Sequence, residues 1–196
     1  YTAPGLNKKT KHRLMPILSN SMVTRPLTDS ELADCGIQTK SPLTDTRTLR
    51  HYYRLLPDNR MQIGSRSAVT GNDAENGKHL EMLQKGLARK FPALTDINLE
   101  YSWWGWVDVS HDMMPRIFQP NPNEKIYYAM GYGGNGVMYS AQAGRRMAQL
   151  VAGKKDKAFD LPIFTSPLPS HGLLTPFRRM GQRMAYVWYY LQDEVI

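Results

Sequence analysis

Residues 126–153 open with Ile126-Tyr127-Tyr128-Ala129-Met130 and pass through Gly131-Tyr132-Gly133-Gly134-Asn135-Gly136. They continue as Val137-Met138-Tyr139-Ser140-Ala141-Gln142-Ala143-Gly144-Arg145-Arg146-Met147-Ala148-Gln149-Leu150-Val151-Ala152-Gly153. A β-favouring run, a glycine cluster and a periodic stretch predict a strand, a tight loop and a helix. Such a unit aims backbone N–H groups and a positive helix end at an anionic or electron-rich ligand. Glycine is required because only a residue without Cβ turns this tightly and lets a ligand come close to the backbone.

The loop satisfies G-x-G-x-x-G, and Asp156 follows Gly136 by roughly the 20 residues at which a ribose-binding acid is expected. A dinucleotide fold needs a second apolar strand after the helix, and further βα units beyond it. Here the helix gives way to Gly153-Lys154-Lys155-Asp156-Lys157 and then to Pro-rich sequence. No Rossmann unit is expected downstream, so the loop is expected to serve another part of a ligand. On the helix over 137–152, Val137, Ala141, Gly144, Ala148 and Val151 share a face small enough to lie tight against a sheet.

Upstream, Asn98–Val109 is the clearest strand. Leu99, Tyr101, Trp103, Gly105, Val107 and Val109 point one way, and Glu100, Ser102, Trp104, Trp106 and Asp108 the other. Large aromatics on both faces predict a strand covered on both faces. Gly105 among them marks either a close approach of something bulky to the backbone or a β-bulge. Residues 13–27 read as a long or bulged strand, and 29–48 as loop. His51–Leu56, the turn Pro57-Asp58-Asn59-Arg60 and Met61–Gly64 form a hairpin, followed by polar loop over 65–74. A helix over 74–91 has Leu80, Leu83, Leu87 and Phe91 on one face and Glu81 and Lys85 paired outside, and Phe91-Pro92 ends it. After a Pro-rich connection, Thr175 is the expected cap of a last helix with Pro176 in its first turn. Its apolar stripe is Met180, Met184, Val187, Trp188 and Leu191. No internal repeat is present.

With 196 residues, 41% of them apolar and 10% aromatic, the chain is able to bury a core. The single cysteine, Cys35, rules out an internal disulfide, fits a reducing compartment and reads as a small apolar filler. Nothing approaches the ~20 apolar residues of a membrane span, and the start carries no signal-peptide pattern, so a cytoplasmic protein is expected. The net charge of +8 raises nucleic-acid binding. The basic residues form small separated groups (Lys8-Lys9-Lys11-His12-Arg13, Arg145-Arg146, Lys154-Lys155-Lys157, Arg178-Arg179-Arg183), the pattern of a solvated surface more than of a phosphate-tracking stripe. The five histidines show no metal-ligand spacing, and no metal is expected. The start, Tyr1-Thr2-Ala3-Pro4-Gly5-Leu6, reads like a turn leading out of earlier sequence.

Three groups of residues carry a resemblance: Tyr52-Tyr53-Arg54-Leu55 with Pro57-Asp58-Asn59-Arg60 and Gly64; Trp103-x-Gly105 leading to Asp112-x-x-Pro115; and Ile126–Ala129 before Gly131–Val137 and Gly144-Arg145. Across nearly its whole length the chain resembles the second half of FAD-dependent oxidoreductases of the D-amino-acid, glycine and sarcosine oxidase type. The tail from Pro167 through Trp188-Tyr189 to Asp193 looks most like the γ-glutamylputrescine oxidase branch.

The resemblance implies hydride removal from the carbon beside a neutral amine to non-covalent FAD, followed by imine hydrolysis. It places Gly105, Gly131, Tyr132, Gly133, Gly134, Asn135, Gly136, Val137 and Met138 at the flavin-ring end, where they stabilise negative charge. Tyr52, Tyr53, Trp104, Trp106 and Val107 become the candidate substrate wall, since aromatic faces attract cationic amines. No acid–base residue is required, so no catalytic residue is assigned.

Gly105 stands where sarcosine oxidases attach flavin through cysteine, and Val107 where glycine oxidases carry an arginine for the substrate carboxylate. Asn135 replaces a histidine common in relatives. Without a bidentate cation on that strand, the expected substrate is an amine whose carboxylate, if any, lies far from the reacting carbon. The resemblance implies a missing N-terminal Rossmann domain, so the chain alone should be inactive and bind FAD poorly or not at all. The surface that domain would cover leaves a homo-oligomer as an expected state.

The fold class expected is α+β: a mixed or antiparallel substrate-domain sheet with packed helices (1–115), the C-terminal strand-loop-helix of a FAD-binding domain (116–160), and a Pro-rich connection with a last helix (161–196). Two other readings compete: a cofactor-free binding or assembly module with the same fold, and a basic nucleic-acid-binding protein.

Overall fold

The computed structural model describes residues 10, 12–154, 156–170 and 172–194. The turn-like start at Tyr1–Leu6 and the basic residues Lys8, Lys9, Lys11 and Lys155 fall outside them. The strands are β1 (Leu14–Pro26), β2 (Leu43–Thr44), β3 (His51–Leu55), β4 (Arg60–Arg66), β5 (Leu99–Ser110), β6 (Arg116–Phe118) and β7 (Tyr128–Met130). The α-helices are α1 (Asp29–Cys35), α2 (Lys78–Lys90), α3 (Gly136–Val151), α4 (Pro162–Thr165) and α5 (Arg178–Glu194). The class is α+β, with an antiparallel sheet as its main element. No helix among the described residues is long and apolar enough to cross a membrane.

Two compact units divide the chain. One holds Leu18–Trp106 with the described residues from Arg179 onward; the other holds Val107–Arg178 with the described residues up to Ile17. The boundaries lie inside β1 and β5, whereas the segments 1–115, 116–160 and 161–196 follow composition and turn signals.

The first unit is built on a sheet of order β2-β3-β4-β1-β5. The pairs β2–β3, β3–β4 and β1–β4 are antiparallel, with His51 opposite Ser65, Leu55 opposite Met61 and Met22 opposite Ile63. The hairpin turn works because Asn59 accepts a left-handed conformation, φ 62°. Met22, Leu55, Met61 and Ile63 on one sheet face meet Leu83 and Leu87 of α2. Glu81 and Lys85 pair on the outside of that helix at 2.6 Å, as expected. In the second unit β6 pairs antiparallel with β7, and Leu14, Met130 and Leu168 form a smaller core with Phe118 and Tyr128 beside it.

Four expectations are corrected. Residues 29–48 are not all loop: Thr28 caps α1 in a capping box, accepting from the Glu31 N–H while Glu31 accepts from the Thr28 N–H, and β2 adds an edge strand. Thr175 does not cap the last helix; it lies in a 3₁₀ segment, Gly172–Phe177, with its hydroxyl on the Gly172 carbonyl at 2.7 Å. The middle of β5 is not covered on both faces, since Tyr101, Trp103, Trp104 and Trp106 are all exposed. The small-residue face of α3 is not against a sheet: Val137, Ala141, Gly144, Ala148 and Val151 are exposed, and Ala143 is the buried position. Periodicity shows which residues share a face but not what covers it.

Candidate functional site

Asp108, near the end of β5, anchors the glycine loop of the second unit. Its carboxylate accepts the Gly131 N–H and its carbonyl accepts the Gly133 N–H at 2.8 Å. Val109 bridges antiparallel to Tyr132 between these two contacts. Gly131, Gly133 and Gly134 have φ of +83°, +61° and +96°, conformations that L side chains rarely adopt. A Cβ on Gly131 would also lie 3.5 Å from the Met114 carbonyl, so the turn is both left-handed and tightly backed. The Tyr132 ring stands edge-on to Tyr139 at 5.3 Å. Burial pushes the Tyr132 phenol up, and the neighbouring Asp108 charge adds to the shift.

The loop then delivers the N-terminus of α3. Asn135 occupies the cap position, but its side chain makes no capping hydrogen bond. The first N–H groups of a helix have no intrahelical acceptor, and here they come with exposed residues: Val137 is 95% and Met138 85% accessible. An uncapped, exposed start to a helix of 16 residues is an electropositive surface made of backbone alone.

A buried polar knot supports this loop from behind. Arg116, nearly buried, donates to Asp112 at 2.5 Å and to the carbonyls of Met114 and Ser166 at 2.9 and 3.0 Å. Asp112 also accepts from the Ser110 hydroxyl and the Met114 N–H at 2.9 and 3.1 Å. Partial burial would raise the Asp112 carboxyl, but these donors together hold it below the usual carboxylate range. In the sequence Asp112 is one mark of the family resemblance and Asp108 a strand residue; neither carries a role there, and nothing marks Arg116. The legible signal was a pair of carboxylates closing an aromatic strand just before the glycine loop's partner strand.

In the first unit, Tyr52 lies flat across Gly64, its register partner, so closely that a Cβ there would sit 2.3 Å from the ring. Its hydroxyl meets the Ser19 Oγ at 2.8 Å. Tyr53 points to the opposite face, into the α2 core, edge-on to Phe91 at 5.7 Å with Lys90 over its ring. Trp104 lines a cavity with Asn20, Ala74 and Leu80 on that same helix-bearing side. Trp106 lies beside Gly71 and beneath the Arg179 guanidinium, 5.6 Å from the ring centre. Strand alternation leaves Gly105 on the other face, with nothing within 4 Å of where its Cβ would be, and half-buried Val107 follows it in the same alternation. The four aromatics of the expected wall therefore divide, with Tyr52 on one side of the sheet and Tyr53, Trp104 and Trp106 on the other. Residues Gly131–Met138 run from buried Gly131 out to exposed Val137 and Met138 at the start of α3.

Comparison with known proteins fits this geometry. The family described as DAO, FAD dependent oxidoreductase, matches residues 2–150. The chain is 30% identical over 154 residues to a probable oxidoreductase, OrdL, of Haemophilus influenzae, covering 78% of this chain and 32% of that protein. It is 29% identical over 198 residues to the γ-glutamylputrescine oxidoreductase of Escherichia coli, covering 100% of this chain and 44% of that protein. The chain thus spans less than half the length of these curated relatives. The fold is similar to a glycine oxidase from Geobacillus kaustophilus, with a TM-score of 0.59 at 21% identity, covering 81% of this chain and 40% of that one. The glycine loop of Gly131–Gly136, its Asp108 anchor and the antiparallel sheet thus stand in a chain that belongs to the FAD dependent oxidoreductase family.

Proposed function

We propose that this chain forms the flavin-ring end and substrate face of an enzyme that oxidises an amine C–N bond to an imine. The observation that carries this reading is the uncapped N-terminus of α3, presented by three left-handed glycines. The residues fit the group: a Cβ on Gly134 would meet nothing within 4 Å, so the cradle is open there. The backbone of Gly131–Met138 would hold the electron-rich edge of the flavin ring. When bound, the flavin supplies the acceptor for a hydride leaving the carbon next to a neutral amine.

The protein's own part is orientation and electrostatics. The N–H groups at the start of α3 favour negative charge where they point. Asn135 adds a hydrogen-bonding side chain that does not titrate near neutral pH, so this contribution stays constant across the physiological range. Tyr52 is held flat against Gly64 by Ser19, a rigid aromatic surface suited to an alkylammonium chain before it loses its proton. Val107 offers no partner for a carboxylate next to the reacting carbon. This favours an amine with a remote carboxylate, such as γ-glutamylputrescine, over an α-amino acid.

The test is an absorbance spectrum of the full gene product and of this chain, with and without added FAD, during anaerobic titration with amines. Bleaching of flavin absorbance by γ-glutamylputrescine or a related alkylamine, with little response to glycine or D-alanine, is the expected result. A gene product unable to take up FAD would replace this reading with that of a binding module that keeps the fold. Asp108→Ala is expected to weaken FAD uptake without unfolding the sheet of the first unit, read by flavin fluorescence and circular dichroism.

A further inference from the structure

A carboxylate far from the reacting carbon needs a cation on the same surface as the aromatic platform, and β3 supplies one. Strand alternation puts Arg54 on the sheet face of Tyr52, away from α2 and one pleat further along, about 6.5 Å between Cα atoms. Gln62, its register partner on β4, accepts from the Arg54 Nε at 3.0 Å. Since an arginine only donates, this bond also fixes which way the Gln62 amide points. The Gln62 Nε2 donates to the Ser21 Oγ at 3.3 Å, and buried Ser21 donates to the Ile63 carbonyl at 3.3 Å. The guanidinium is thus held through its Nε by side chains on two neighbouring strands.

Its two terminal nitrogens form an end-on fork that matches the two oxygens of a carboxylate, and no carboxylate among the described residues occupies it. The other arginines of these strands differ. Arg25 is held by Glu31, and Arg60 by Asp58 and Glu100. Arg66 shares the face of Tyr52 but has no anchoring side chain among the described residues, and its charge acts on the Tyr186 phenol of α5. A long side chain fixed through two further residues has given up rotamer freedom that a merely solvated arginine keeps. With its Nε engaged and its fork uncommitted, Arg54 is organised to receive a planar anion beside Tyr52.

We propose that Arg54 receives the remote carboxylate of the substrate while the alkyl chain of the amine lies across Tyr52, so that the enzyme selects amines with an acid group at the end away from the oxidised carbon. This rests on the reading of the Tyr52 face as the substrate face. Two amines test it: γ-glutamylputrescine, and N-(4-aminobutanoyl)putrescine, the same amide without the carboxylate. With the FAD-loaded full gene product, the acid should have the higher kcat/KM by about 10- to 100-fold, the range of a charge-assisted pair. Arg54→Met should erase this preference, with the loss falling on KM for the acid, and Arg54→Lys should recover part of it, since an ammonium keeps the charge without the fork. Binding without turnover is read by calorimetry with γ-glutamyl-n-butylamide, which has the carboxylate but no amine to oxidise, and should weaken by a similar factor in Arg54→Met. Equal kcat/KM for the two amines in the unmodified protein, or a loss of the same size for both in Arg54→Met, overturns the proposal. If neither amine reduces the flavin, the amine-oxidation reading falls by itself and calorimetry decides the site: binding that requires Arg54 upholds it, and binding indifferent to Arg54, or none at all, overturns it.

Discussion

His51 enters the sheet with its Nδ1 3.1 Å from Asp45 and its Nε2 facing Gly86, where a Cβ would lie only 2.6 Å away. Glycine in the middle of a helix is costly, and here its absence of side chain is what admits the imidazole. Nε2 has no hydrogen-bond partner among the described residues, so an added proton there would have no acceptor. Burial lowers the His51 pKa below its ordinary 6.5; Asp45 opposes the shift, and nearby Lys90 and Arg47 add to it. A histidine with a depressed folded pKa stabilises the fold above its unfolded pKa, and that contribution is lost as pH falls through the folded value. Stability to urea should therefore be level above about pH 6.5 and decline below it, and His51→Gln should flatten that part of the profile. An unaltered slope in the variant would locate the acid sensitivity elsewhere. The Tyr52–Gly64 contact has the same logic of a missing Cβ, and it lies on the sheet face opposite α2.

At the level of elements, α2 and the β3–β4 hairpin carry the sheet unit. Leu83 is fully buried among Met22, Met61 and Ile63, so Leu83→Ala should cost about 2–5 kcal/mol in denaturant unfolding. A loss under 1 kcal/mol would mean that the sheet closes over the cavity. The hairpin and α2 were legible in the sequence because period-two and period-3.6 patterns were bounded by Pro57-Asp58-Asn59 and Phe91-Pro92. Helix α1 is marked in the sequence only by the capping-box signature Thr28-x-x-Glu31, since its seven residues carry no periodic apolar face. That box holds the Glu31 carboxyl at about 2, first through Arg25 and then through Thr28. The roles of Asp108, Asp112 and Arg116 were not legible, because each depends on which backbone groups the folded chain brings to it.

For the whole molecule, the net charge of +8 is spread over small, separated basic groups rather than gathered into one stripe for a polyanion. Arg25, Arg47, Arg60, Lys85, Lys90, Arg116 and Arg146 are all engaged by carboxylates of the chain. Binding to a labelled DNA duplex, followed by fluorescence anisotropy, should be weak at low salt and gone near physiological ionic strength. Retention there with a steep salt slope would restore the nucleic-acid reading. By itself the sequence determined the α+β class, the strand-loop-helix around Gly131–Gly136 and the family resemblance, because glycine placement and short-range periodicity are local properties of a chain. Only the tertiary structure decided that Tyr53 and Trp104 stand on the helix-bearing side of the sheet from Tyr52, that Asp108 ties the loop, and that the apolar stripe of α5 faces outward. The reason is physical: a side chain's face follows from its neighbours in sequence, but what covers that face depends on contacts between segments far apart in the chain.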